Sequence, residues 1–136
     1  MTRKSTIIWR LSTILYLAIV AFLCFAPSDT FPQVKEWSFF IPVDKLVHFS
    51  MFIPLPIMFY ASVGRRKDSL KRIYLRIILI LLISCIIAGS TELLQGLSPN
   101  RSTDFYDFIA DTVGIAFSCL LLVLYLKLTF GKSQIR

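Results

Sequence analysis

Two short stretches of this 136-residue chain carry most of the side chains that could do chemistry. The first, DKLVH, holds Asp44, Lys45 and His48. The second, ELLQGLSPNRSTDFYDFIAD, holds Glu92, Gln95, Arg101, Asp104, Asp107 and Asp111. Five of the eight acidic residues fall in these stretches, with Lys45, Arg101 and the chain's single histidine as counter-groups. Carboxylates drawn together in a low dielectric repel one another, and titratable groups under that strain are what acid–base chemistry or proton coupling uses. His48 and Glu92 are candidate general bases, and Asp107 completes the candidate catalytic set. Arg101 and Lys45 suit a phosphate, the first as a planar fork and the second as a point charge. With Asp44, Gln95, Asp104 and Asp111 they form the candidate substrate-binding set. No nucleophile elbow or phosphate-cradling glycine loop accompanies them. His48, Glu92, Asp104 and Asp107 are ligand types that suit Zn²⁺ or Mn²⁺. Their spacing matches no recognised zinc motif, so no metal and no cofactor is expected.

The elements that must position these groups are apolar. The chain is 56% hydrophobic and 17% charged, with a mean hydropathy of +0.71. That balance is wrong for a soluble domain of this size and points to one small integral membrane domain over residues 1–136. Four apolar runs are long enough to cross a bilayer, at about 7–26, 44–63, 73–97 and 104–130. The expected fold is therefore an all-α, four-helix transmembrane bundle. The first run follows a basic start, but it is too long for the core of a cleaved signal; Arg10 in its first turn is expected to snorkel to the interface. Pro54 and Pro56 fall inside the second run, where each removes a backbone donor, so a kink or local break is expected there. Residues 27–43, with Trp37 and three prolines, read as an interfacial loop.

Charge sets the orientation. The net charge is +7, and its basic residues gather at the N-terminus (Arg3, Lys4, Arg10), around the 64–72 loop, and at Lys127, Lys132 and Arg136. By the positive-inside rule both termini and that loop face the cytoplasm. The same rule accounts for the high isoelectric point, so nucleic acid is not an expected partner. The two polar stretches then open on the extracytoplasmic side of an inner or plasma membrane. Cys24, Cys85 and Cys119 fall in three different runs with no CxxC spacing, and read as small buried hydrophobes.

Depth and helical phase bring the polar groups together. A hydrocarbon core of roughly 30 Å takes about 20 helical residues. Counted from the cytoplasmic ends, the outer boundary falls near Asp44, Gln95 and Asp107, with His48, Glu92 and Asp111 about one turn deeper. Asp104, Asp107, Asp111, Gly114 and Ser118 share one helix face, and Ser84, Ala88, Glu92 and Gln95 another. Gly114-xxx-Ser118 is a seam where a second helix can pack closely. The expected arrangement is a polar cup opening outward. A structural account competes with it: Ser102 or Thr103 caps the fourth helix, Asp44 pairs with Lys45 and Arg101 with Asp104, and the acids in the first turn answer the helix dipole.

At these residues the sequence resembles the VanZ-like family of small bacterial membrane proteins. The matching pieces are Asp44-Lys45-x-x-His48, Glu92-x-x-Gln95, Pro99-x-Arg101, and Asp104-x-x-Asp107 followed by Gly114, within about residues 40–125. The family more often has asparagine where Asp111 stands and a second glycine at Ser118; the first departure adds negative charge to the cup. The resemblance implies a role in the cell envelope or in resistance to the glycopeptide teicoplanin, without an agreed reaction. The partners it implies are membrane lipids, with a lipid-linked envelope precursor or the glycopeptide as ligand. The residues leave an enzyme, a proton- or ion-coupled carrier and a non-catalytic scaffold or shield all open. A carrier with only four spans would have to form a homo-oligomer.

Overall fold

The computed structural model describes residues 3–26, 42–63, 69–97 and 103–134, with side chains to residue 129. Trp37, the basic residues Arg65, Arg66 and Lys67, Arg101, Ser102 and Arg136 lie outside the described residues. Among the described residues there are five helices and no strand: α1 (Arg3–Phe25), α2 (Val43–Phe52), α3 (Pro54–Val63), α4 (Leu70–Gln95) and α5 (Phe105–Gln134). Helices α2 and α3 are two halves of one 21-residue span, Val43–Val63, so four segments are long and apolar enough to cross a membrane.

The break in the second span has a local cause. Helix α2 ends at Phe52 and α3 begins on Pro54, whose ring cannot sit in a helix interior but is tolerated in a first turn. The last carbonyls of α2 consequently lack partners within the helix. Tyr16 of α1 donates its hydroxyl to the Met51 carbonyl at 2.6 Å. The α3 end is tied to α1 as well. Thr13 and Ser62 share a hydrogen bond of 2.9 Å between their hydroxyls, and Arg10 Nε donates to the Ser62 carbonyl at 3.4 Å. Arg10 lies in the second turn of α1, is exposed, and meets the end of α3 at the pole where α1 starts.

The burial pattern inverts that of a soluble bundle. Leu97, Leu93, Ile86, Phe105 and Leu128 project outward, whereas Ser84, Ala88 and Ser118 are fully enclosed. Between helices in lipid there is no apolar driving force beyond packing, so small residues that let backbones approach are favoured at the seams. Gly114 is such a point. A Cβ placed on it would meet the backbone of Phe49, with the carbonyl oxygen nearest and the carbonyl carbon at 3.2 Å. Main chain of α2 therefore rests on α5 here. Phe52, Leu55, Ile115 and Val20 belong to the core of the bundle, and Cys24, Cys85 and Cys119 form no disulfide.

The hydrogen bonds also fix the polarity of the bundle. The N-terminal half of α1 meets the C-terminal end of α3, and the C-terminal end of α4 meets the start of α5. The starts of α1 and α4 and the ends of α3 and α5 therefore share one pole. The start of α2, the end of α4 and the start of α5 share the other. Every candidate site residue that is described lies at this second pole.

Candidate functional site

Helix α2 contributes Asp44, Lys45 and His48 from its first turns, α4 contributes Glu92 and Gln95 from its last, and α5 contributes Asp107 and Asp111, with Asp104 just before its first residue. The three- and four-residue steps put each set on the inner face. His48, Glu92, Gln95, Asp107 and Asp111 are all buried, Asp111 almost completely at 1% exposed. Asp44 stands on the rim, its side chain 63% exposed.

Asp104 opens α5. Its carboxylate accepts the Tyr106 N–H at 2.8 Å, the contact of an N-cap residue with the second helical position. The cap is thus Asp104 and not Thr103; Ser102, the other expected cap, is outside the described residues. Its own backbone N–H donates to Glu92 Oε1 at 2.5 Å. In a capping box that N–H is taken by a glutamate three residues further on, a position held here by Asp107. Glu92 does the same task from the neighbouring helix. A carboxylate at the C-terminal end of α4 is disfavoured by that helix's own dipole; the amide at the start of α5 compensates. Asp107 is left free to face α2.

Two contacts define what Asp107 does there. Lys45 Nζ is bonded to both Asp104 and Asp107 and reaches Asp44 at 3.1 Å. One ammonium therefore closes α2 onto the first turn of α5. The expected Asp44–Lys45 pair is present, but the counter-charge of Asp104 among the described residues is Lys45. The Lys45 ammonium holds the Asp104 carboxyl below the usual carboxylate range, and the Tyr106 N–H lowers it further. The second contact is with His48. Its Nδ1 lies 3.0 Å from Asp111 Oδ1, and its Nε2 lies 3.7 Å from Asp107 Oδ2. With Asp111 accepting from Nδ1–H, the imidazole turns Nε2 toward Asp107.

Two buried oxygens in this region have no hydrogen-bond partner among the described residues: Glu92 Oε2 and Gln95 Oε1. Glu92 also lies within electrostatic reach of Asp107, His48 and Asp111. Asp44, His48 and Asp107 each offer an atom within 4.8 Å of the others, close enough to share a metal ion. The arrangement can move a proton through His48, hold a cation among carboxylates, or act as a clasp between helices. The pairing of His48 with Asp111 carried no signal in local spacing, since both were assigned only to a common depth. Tyr16 carried none either.

Comparison with known proteins agrees with this architecture. A relative from Schizosaccharomyces pombe (strain 972 / ATCC 24843), the uncharacterized protein C11E3.10, is 28% identical over 126 residues, covering 90% of this chain and 67% of that protein. No solved structure matches. The profile of the VanZ/LLP1 family matches residues 13–126, from the second half of α1 through most of α5. The four apolar spans and this match together make the chain a multi-pass membrane protein of the VanZ/LLP1 family.

Proposed function

We propose that the protein serves the cell envelope by binding the polar head group of a membrane lipid or lipid-linked precursor at the outer face of a bacterial plasma membrane, with His48 as its acid–base group. The observation that carries this reading is the buried His48 whose Nδ1 is held by Asp111 at 3.0 Å, so that Nε2 faces Asp107. An imidazole locked by a carboxylate on one nitrogen is oriented to take or give a proton on the other. In this reading Asp111 is a positioning residue, since it lies beneath His48. Glu92 and Asp107 set the charge around the reacting group, while Lys45, Gln95 and Arg101 are the contacts for the head group. The yeast relative favours a head group shared by bacterial and yeast membranes over a wall peptide. Protection against teicoplanin is then a consequence of altered surface lipid or precursor.

The test is teicoplanin sensitivity of a susceptible Gram-positive host expressing wild type, Glu92→Gln or His48→Gln at matched membrane levels. Proteoliposomes assayed for turnover of a labelled lipid precursor form its second arm. Protection and turnover by the wild type, lost in both variants, are expected. Equal protection by wild type and both variants overturns the reading. A scaffold reading is favoured by one observation, the grip of Asp44, Asp104 and Asp107 on a single lysine. It predicts protection that survives Glu92→Gln and His48→Gln but fails when the helices are forced apart.

A further inference from the structure

Charge balance at the polar pole is the starting point. Among the described residues, Asp44, Glu92, Asp104, Asp107 and Asp111 face one ammonium, Lys45, and one imidazole, His48. Lys45 is already shared by three of these carboxylates, so among the described residues Glu92 and Asp111 have no full cation of their own. An excess of desolvated negative charge next to membrane-spanning segments is expensive unless it is paired.

Three features select what would pair it. The first is the 3.7 Å gap between His48 Nε2 and Asp107 Oδ2. That is beyond hydrogen-bond reach. Two ligand atoms about 2.1 Å from one metal ion, at angles of roughly 90–120°, stand about 3.0–3.7 Å apart. The second is His48 Nδ1 on Asp111 at 3.0 Å. A metal-bound histidine almost always hands its other ring N–H to a carboxylate or carbonyl, which fixes the tautomer and turns the lone pair toward the ion. The third is independent of both. Glu92 is 4% exposed, its Oε2 has no hydrogen-bond partner among the described residues, and it lies within electrostatic reach of Asp107 and His48. A buried carboxyl oxygen left without a donor among the described residues is a position that a donor or a cation can fill.

We infer that Asp44, His48 and Asp107 bind one divalent transition cation at the polar pole of the bundle, with the buried Glu92 carboxyl nearby but outside the ligand set and Asp111 orienting His48. One imidazole with carboxylates suits Mn²⁺ or Zn²⁺ over the soft-ligand metals. Asp107 joins the two cationic centres, giving Oδ1 to Lys45 and Oδ2 to the metal. The remaining coordination positions face the pole, where a phosphate oxygen of a head group would enter beside Lys45. That last step rests on the head-group binding proposed above, and with Nε2 on the cation His48 acts as a ligand in place of the acid–base role given to it there; the binding of the cation rests on neither.

The chain's single histidine makes the test direct. Tag-free, chelator-washed full-length protein in lipid nanodiscs is titrated with Mn²⁺ and followed by electron paramagnetic resonance. Nitrogen hyperfine coupling then reports whether an imidazole is bound. One Mn²⁺ per chain with a single coupled imidazole nitrogen is the expected result. Asp107→Asn should weaken binding by about ten-fold or more, and Asp111→Asn by roughly ten-fold through the lost orientation of His48. No saturable Mn²⁺, or bound Mn²⁺ without imidazole coupling, overturns the inference even if every variant misfolds. Precursor turnover by chelator-washed protein that holds no metal would leave the proposed function standing and remove the metal from it. Metal binding without turnover or protection would do the reverse.

Discussion

Replacing Gly114 with alanine tests the contact on which the site depends. The added Cβ would press into the Phe49 carbonyl, with the carbonyl carbon at 3.2 Å and Cα at 3.5 Å. These are main-chain atoms of a helix, so no side chain can swing aside and α2 must recede. Overpacking of this kind costs about 1–3 kcal/mol. His48 precedes Phe49 and moves with it. A retreat of about half an ångström would stretch the 3.0 Å His48–Asp111 contact to the edge of hydrogen-bond range. Weakening a buried pair that way costs about 1–3 kcal/mol more. Against both stands the better helix propensity of alanine, about 1 kcal/mol. Destabilisation should win, by about 1–5 kcal/mol. Gly89→Ala is the internal control. Its Cβ would meet only the Phe108 ring, at 3.5 Å, an ordinary contact. Thermal unfolding in mild detergent should show Gly114→Ala clearly less stable than wild type, with Gly89→Ala equal to or above it. Gly114→Ala as stable as Gly89→Ala would refute the close approach of α2 to α5.

Three further outcomes follow from individual contacts. The Asp104 carboxyl is held below its unfolded range by Lys45 and the Tyr106 N–H, so its contribution is present above about pH 4 and is lost as pH falls through the lower folded value. Asp104→Asn, which keeps a capping oxygen, should lower stability at neutral pH and flatten the acid limb of a pH–stability curve; an unchanged acid limb would remove Lys45 from the account. Tyr16→Phe strips the donor from the Met51 carbonyl at the proline break and should cost about 1 kcal/mol in detergent unfolding, with no change in protection against teicoplanin. Leu97, 81% exposed beside the polar pole, gives the orientation test. In a cysteine-free background, Leu97→Cys should react with a membrane-impermeant maleimide on intact cells, and labelling only after lysis would turn the bundle over.

The chain's local chemistry determined a good deal by itself. Hydropathy over about twenty residues is a property of the segment alone, so four spans could be counted before any contact was known. Pro54 and Pro56 act on the backbone within one turn, and the break at Ile53 follows from them. Helical period assigned Ser84, Ala88, Glu92 and Gln95 to one inner face and Asp104, Asp107, Asp111, Gly114 and Ser118 to another, and all of these are buried except Asp104, which is half-exposed ahead of the first turn of α5. Each of these properties repeats along one helix and needs no partner to be stated.

Pairing between helices was decided only by the tertiary structure. Lys45 can reach any carboxylate within about 6 Å of its stem, and the choice of Asp104 and Asp107 over Asp44 alone depends on how far α2 slides along α5. That slide is set where the Phe49 backbone seats on Gly114, and the same seat puts His48 level with Asp111. Asp104 took the cap from Thr103 because the end of α4 delivers Glu92 to its amide. Tyr16 met Met51 because α1 lies along the proline break. Rotation and axial shift between helices leave no trace in the period of either one, so a residue's face can be read from its own helix but its partner cannot.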